Sequence, residues 1–183
     1  MVVLIIVLVV VVLLALYAVV LYNGLVRLRN RVESSWAQID VQLKRRWDLI
    51  PNLVETVKGY ASHERQTLEA VVAARNAATT ATGPAQAGAS ENILTGALRQ
   101  LFAVAEAYPD LKANTNFLQL QEELTGTEGR IAYARQYYND AVERYNTKIQ
   151  VVPSSIVAGM FNFGEREYFE PEAESRATPK VQF

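Results

Sequence analysis

VVLIIVLVVVVLLALYAVVL, Val2 to Leu21, carries no charged side chain and only the Tyr17 hydroxyl among polar ones. As an α-helix it would reach about 30 Å, the thickness of a bilayer's hydrocarbon core. The run is too long for a soluble strand, and in lipid only a helix satisfies its own backbone groups. It therefore predicts a membrane anchor over 1–22. A cleaved secretory signal is the competing reading. It fits less well, because Met1 to Val3 holds no Lys or Arg, the run exceeds a signal's apolar core, and no small-x-small cleavage site follows.

The flanks bear on orientation. Arg27, Arg29 and Arg31 follow the run closely, with Lys44, Arg45 and Arg46 beyond them, while only the amino terminus precedes it. The positive-inside bias then places the bulk of the chain in the cytoplasm, with a short external N-terminus.

Outward from the anchor the pattern stays helical, and strand signals are missing. Leu25, Leu28, Val32, Trp36, Ile39, Leu43 and Ile50 recur at three- and four-residue steps, one face of an amphipathic helix continuing the anchor. Pro51 predicts a kink or a fresh start, and Gly59 a second weak point. Leu68, Val71, Val72 and Arg75 continue a helical face to Thr79. The stretch 79–90, TTATGPAQAGAS, lacks large apolar residues and reads as a flexible linker. A short helix over Leu94 to Ala105 is expected to stop at Pro109, and Asn116 with Gln119 suits a capping box for the next. That last helix has a heptad seam with Phe117, Leu124, Ile131, Tyr138, Tyr145 and Val152 at one inward position. Leu120, Thr127, Ala134, Ala141 and Lys148 occupy the other.

The expected architecture is all-α: one N-terminal transmembrane helix continuing into an antiparallel three- or four-helix bundle over 23–152, with coiled-coil-like packing. Residues 153–183 are expected to be an aromatic segment and a polar tail, disordered from Glu165, with Tyr168 and Phe169 docking on the bundle.

Composition narrows the chemistry. Lys and Arg number 18 against 19 Asp and Glu, so no strong field favours nucleic acid as a partner. Cysteine is absent and His63 is the single histidine, which leaves no zinc or iron ligand set. Neither a GxxxxGK[ST] loop nor a GxSxG elbow occurs. No catalytic, cofactor-binding or metal-binding residue is expected, and His63 reads as a surface or interface residue. The cluster Lys44–Arg46 would stand roughly 33 Å beyond Tyr22 on a straight helix. That exceeds a Debye length of about 8 Å, so a solvated face is the default over lipid attraction.

Two groups of residues stand out. Arg46 falls on an inward heptad position, and Glu128 and Arg135 lie beside the last helix's seam. A buried charge needs a partner, so Arg46, Asp48, Glu128 and Arg135 are a candidate inter-helix polar network in which Arg46 meets Glu128. Register drift and Pro51 could instead carry them to the surface. Trp36 and Trp47, eleven residues apart, project within about 20° of each other and form a candidate assembly surface. Their consumption by the core is the alternative. The pairs Tyr138-Asn139 and Tyr145-Asn146 place hydroxyls at the seam, where they fix register.

YNGLVRLRNRV (Tyr22 to Val32), SWAQIDVQLKRRWDLIPNLVETVKGYASHE (Ser35 to Glu64), YPDLKANTNFLQLQEELTGTE (Tyr108 to Glu128) and ARQYYNDAVERYN (Ala134 to Asn146) resemble the bacterial LemA family. The resemblance covers nearly the whole chain, apart from Val152 where an aromatic often precedes the proline. It implies a membrane helix with a short external end and a helical cytoplasmic domain, and it carries over no catalytic residue. Arg46, Asp48, Pro51, Asn52, His63 and Glu64 match one family motif, and Glu128, Arg135, Tyr138 and Asn139 a second, without an assigned role.

The reading reached is a membrane-anchored scaffold or assembly protein, not an enzyme. Its expected partners are the lipid bilayer, further copies of itself, and a membrane protein the sequence does not name. One alternative is an enzyme, or the regulatory subunit of one, using Arg46, Asp48, His63, Glu128 and Arg135. Another is an extracytoplasmic binding module.

Overall fold

The computed structural model describes residues 1–169. They form six α-helices and no strand: α1 (Val2–Tyr60), α2 (Arg65–Thr80), α3 (Gly83–Ala105), α4 (Pro109–Lys112), α5 (Thr115–Gln150) and α6 (Ser154–Met160). The chain is an all-α helical bundle divided into two compact units. One holds Met1–Trp36 with Tyr137–Arg166; the other holds Ala37–Gln136 and the segment from Glu167.

The first unit contains the apolar run, whose large side chains from Val2 to Val20 are all exposed. Beyond it Leu25 and Val32 of α1 are buried, as are Tyr138, Ala141, Val142, Tyr145 and Ile149 of α5 and Val157 and Ala158 of α6. Ser35, 1 % exposed, donates its hydroxyl to the Arg31 and Val32 carbonyls, so its burial leaves no orphan. The segment after α6 is held by side chains of α5. Tyr145 Oη donates to the Gly164 carbonyl at 3.0 Å. The Asn146 amide both donates to the Arg166 carbonyl and accepts its N–H, each at 2.9 Å, replacing a ladder pair of hydrogen bonds.

The second unit has a continuous apolar core from five helices: Ile50, Leu53 and Val57 of α1, Leu68 and Val71 of α2, Leu94, Leu98 and Leu101 of α3, Leu111 of α4, and Phe117 and Leu124 of α5. Burying each such side chain contributes roughly 1.5–3 kcal/mol. The seam expected on α5 is buried at Phe117, Leu124, Thr127 and Ile131 within this unit.

Several expectations are corrected. The linker 79–90 is helical but for Ala81 and Thr82. Its alanines are strong helix formers, Pro84 sits at the first turn where a missing N–H costs nothing, and Gln86 Oε1 accepts from both the Thr82 N–H and hydroxyl at 2.9 Å. Gly83, at φ 79, makes the turn into α3. Pro109 begins α4 rather than merely ending α3. The cap of α5 is Asn114, whose Oδ1 accepts the Phe117 N–H at 3.0 Å, in place of Asn116. Val152 lies past the end of α5 and is 78 % exposed, so it leaves the seam. Glu165 to Phe169 has no regular secondary structure but is anchored, not disordered; Phe169 is buried and Tyr168 exposed. The remainder of the expected disordered tail lies outside the described residues.

Candidate functional site

Pro51 lies inside α1, yet the helix runs through it without a fresh start. Proline lacks an N–H, so the carbonyl four residues earlier, that of Trp47, loses its helical donor. Arg75 of α2 replaces that donor: its Nε–H bonds the Trp47 carbonyl oxygen at 2.9 Å. The same tryptophan reaches α3, where its indole N–H donates to Glu91 Oε1 at 2.6 Å.

Arg46, the preceding residue, points inward and is 4 % exposed. Its Nη1 meets Glu91 Oε2 at 3.0 Å and its Nη2 donates to Thr95 Oγ1 at 2.9 Å. Arg46, Trp47, Arg75, Glu91 and Thr95 therefore form one polar network joining α1, α2 and α3 within the second unit. Burial raises the Glu91 carboxyl above its ordinary range, opposed in part by the Arg46 charge and the hydrogen bonds from Trp47 and Arg46. Arg46 Nε and Gln42 Oε1, one turn apart on α1, are buried polar atoms without a protein partner.

The four residues of the expected network are not brought together. Arg46 is buried and paired, but with Glu91 rather than Glu128. Asp48 and Glu128 are exposed and Arg135 is half-buried. Partner choice follows from α3, which the linker reading had shortened so that Glu91 fell outside any predicted helix. A signal was present: Ala87, Glu91, Leu94 and Leu98 recur at helical spacing, and all four are buried. The basic cluster dissolves in the same way, since Arg46 turns inward, Arg45 pairs with Glu123 at 2.7 Å, and Lys44 stays exposed.

Trp36 and Trp47 are both half-buried. Trp36 packs its ring against Tyr138, with centroids 5.6 Å apart, in the first unit. Trp47 lies against the core of the second. Each tryptophan thus has a packing partner within the chain while part of its surface stays accessible. His63 is exposed in the turn between α1 and α2. The adjoining Glu64 accepts from the Tyr108 hydroxyl at 3.0 Å, and Asn114 Nδ2 donates to Tyr60 Oη at 2.9 Å. These bonds close the end of the bundle at the α1–α2 turn and the α3–α5 connection.

Chemically the Glu91 carboxylate is saturated, while Arg46 Nε keeps one N–H without a protein partner. Both charges are almost fully enclosed, and each carboxylate oxygen faces a donor of the same chain. A reacting molecule would have to part α1 from α3 to reach it. Among the described residues, no group of three or more His, Asp or Glu side chains is disposed to hold a metal.

The LemA family profile matches residues 35–183. Protein LemA of Metamycoplasma hominis is 29 % identical over 140 residues, 74 % of this chain and 63 % of its own length. Magnetosome protein MamQ 2 of Paramagnetospirillum magneticum is 25 % identical over 175 residues, 81 % of this chain and 64 % of its own. Magnetosome protein MamQ of Magnetospirillum gryphiswaldense is 24 % identical over 174 residues, with the same two coverages. The chain spans somewhat under two thirds of the length of these relatives. The matching helical region contains both the Arg46–Pro51 segment and the α5 seam, and the chain belongs to the LemA family.

Proposed function

We propose that the protein is a single-pass, non-catalytic membrane scaffold whose bundle lies in the cytoplasm and associates laterally with further copies. The observation that carries the anchor is α1 itself. One helix begins with an apolar run that none of the described residues covers and goes on to supply buried core residues. Exposing so much apolar surface to water is unfavourable, and lipid removes that cost. Orientation rests on Arg27, Arg29 and Arg31 after the run. Likeness to magnetosome proteins agrees with work at a membrane.

For association, the second unit offers a surface other than the tryptophans. Val41 and Tyr133, 62 % and 75 % exposed, border an open groove of about 710 Å³ floored by Ala37, Gly126, Gly129 and Ala134. Glycine inside a helix costs about 1 kcal/mol relative to alanine. A Cβ at either Gly126 or Gly129 would meet nothing within 4 Å, so packing within the chain does not require them. A second copy seated in the groove would. Copies held parallel in one membrane gain from high effective concentration, so modest contacts suffice.

The chain has no cysteine, which makes single-thiol tests clean. In intact cells, a membrane-impermeant maleimide should leave Ser62→Cys unmodified until the membrane is opened. A short bis-maleimide should join Tyr133→Cys chains into covalent dimers in native membranes. Labelling of Ser62→Cys in intact cells would place the bundle outside, and a lack of dimers would remove the groove as the contact.

A further inference from the structure

Helix α6 is apolar on two sides. Ser154, Val157 and Ala158 face inward and are buried, but Ile156 and Met160, together with Val152 before the helix and Phe161 after it, are 61, 73, 78 and 56 % exposed. Val152, Ile156 and Met160 follow at four-residue steps, and no charged side chain occurs from Val151 to Gly164. So much exposed apolar surface on one short segment calls for a cover.

The place of this segment identifies the cover. Asn162 adopts φ 54, and the Phe163 N–H bonds the Ala158 carbonyl at 3.0 Å, which ends α6 in a tight left-handed turn. That turn delivers two rings to α1: Phe161 lies 4.7 Å and Phe163 5.7 Å from the Tyr22 ring, centroid to centroid. Tyr22 is the first residue after the apolar run. When that run fills the hydrocarbon core, Tyr22 stands at the level of the lipid headgroups, where aromatic side chains concentrate. Arg29 adds its guanidinium over the Phe163 ring at 5.4 Å, a cation beside an aromatic cluster at the membrane boundary.

We infer that α6 with its flanking residues is a lipid-contacting foot: Val152, Ile156, Met160 and Phe161 enter the boundary between headgroups and acyl chains, beside the point where α1 leaves the bilayer. This rests on the anchor reading above and adds a second contact with the same membrane. The foot gives the first unit two attachments in place of one pivot. Its occupant is the bilayer surface, because the patch is continuous with the membrane-spanning part of α1 through the Tyr22–Phe161 contact. A second copy or another protein would have to displace lipid to cover it.

The test uses the full chain in vesicles of phosphatidylcholine and phosphatidylglycerol. Nitroxide labels are placed singly at Ile156→Cys and Met160→Cys, with Val12→Cys as the anchor control and Ser62→Cys as the aqueous control. All four positions are exposed, so labelling leaves the core intact. Oxygen partitions into lipid and a nickel chelate into water. The labels at positions 156 and 160 should show an oxygen-to-nickel accessibility ratio severalfold above that at 62, on the same side as that at 12. A ratio at 156 and 160 equal to that at 62 overturns the foot while the anchor stands. Protection from both reagents also overturns it, because protein rather than lipid would then be the cover. A water-like ratio at Val12 overturns the anchor and the foot together.

Discussion

Polar side chains on helix seams do different work in the two units. In the second unit, Arg46 and Glu91 are full charges buried between helices, satisfied only by each other and by Thr95 and Trp47. In the first, Tyr145 and Asn146 are neutral, and they grip the main chain of a returning segment at Gly164 and Arg166. Charges tie helix to helix at fixed register, because a slip would strand an ion in a dry interface. An amide and a phenol tie a helix to non-helical backbone, and water can replace what is lost. One contact should therefore fail sharply and the other softly.

The largest effect is expected from Glu91→Ala, which leaves the Arg46 guanidinium buried and unpaired and should cost about 3–5 kcal/mol. Urea unfolding of the purified protein reads this directly. The double variant Arg46→Met with Glu91→Leu should recover most of the loss, since removing both charges removes the desolvation cost as well. Failure of that rescue would show that the pair does more than hold register.

Arg75→Met should come next, at roughly 1–3 kcal/mol, because the Trp47 carbonyl freed by Pro51 would have no donor in a part-buried position. A Pro51→Ala background should shrink that loss, since alanine restores the N–H within α1. Equal losses in both backgrounds would break the link between Arg75 and Pro51. In the first unit Asn146→Ala should cost only about 1–2 kcal/mol, as the Arg166 backbone groups can turn to water. Hydrogen exchange at the Arg166 amide should accelerate while the α5 amides stay protected.

The smallest effect is a pH slope. Because the folded state holds the Glu91 proton more tightly than the unfolded chain does, stability falls as pH rises from the unfolded value of about 4.3 towards the raised folded value. Subtracting the stability of Glu91→Gln at each pH isolates this contribution, and the difference should decline with pH through that window. A difference that rises would mean Arg46 outweighs burial.

Much of this was legible before the structure. The long apolar start of α1 follows from Val2 to Leu21, and the buried positions Leu25, Val32, Ile39, Leu43 and Ile50 follow from helical spacing, as do Phe117, Leu124 and Ile131. Periodicity reports local burial well, because each helix must bury one stripe. The partner of Arg46 was not legible, since pairing between α1 and α3 is a tertiary choice and the start of α3 contains small residues that resemble a linker. The role of Arg75 was hidden differently. Pro51 announces an orphaned carbonyl at Trp47, but which distant side chain answers it depends on how α2 packs. Tyr145 and Asn146 were expected at the seam, fixing register; their carbonyl partners, Gly164 and Arg166, lie where the sequence turns into a polar tail.

The central claim is that this LemA-family chain works as an assembly in the membrane, with the Gly126–Gly129 groove as its contact. The most direct test is particle mass, measured on the full chain in mild detergent at micromolar concentration, for the native protein and for Gly129→Leu. The leucine would enter open space over α5, so helicity and melting temperature should hold or rise slightly, while the groove fills. The account predicts a multimer for the native chain and a monomer for the folded variant. A strictly monomeric native protein, or a variant that keeps the native mass, would contradict it.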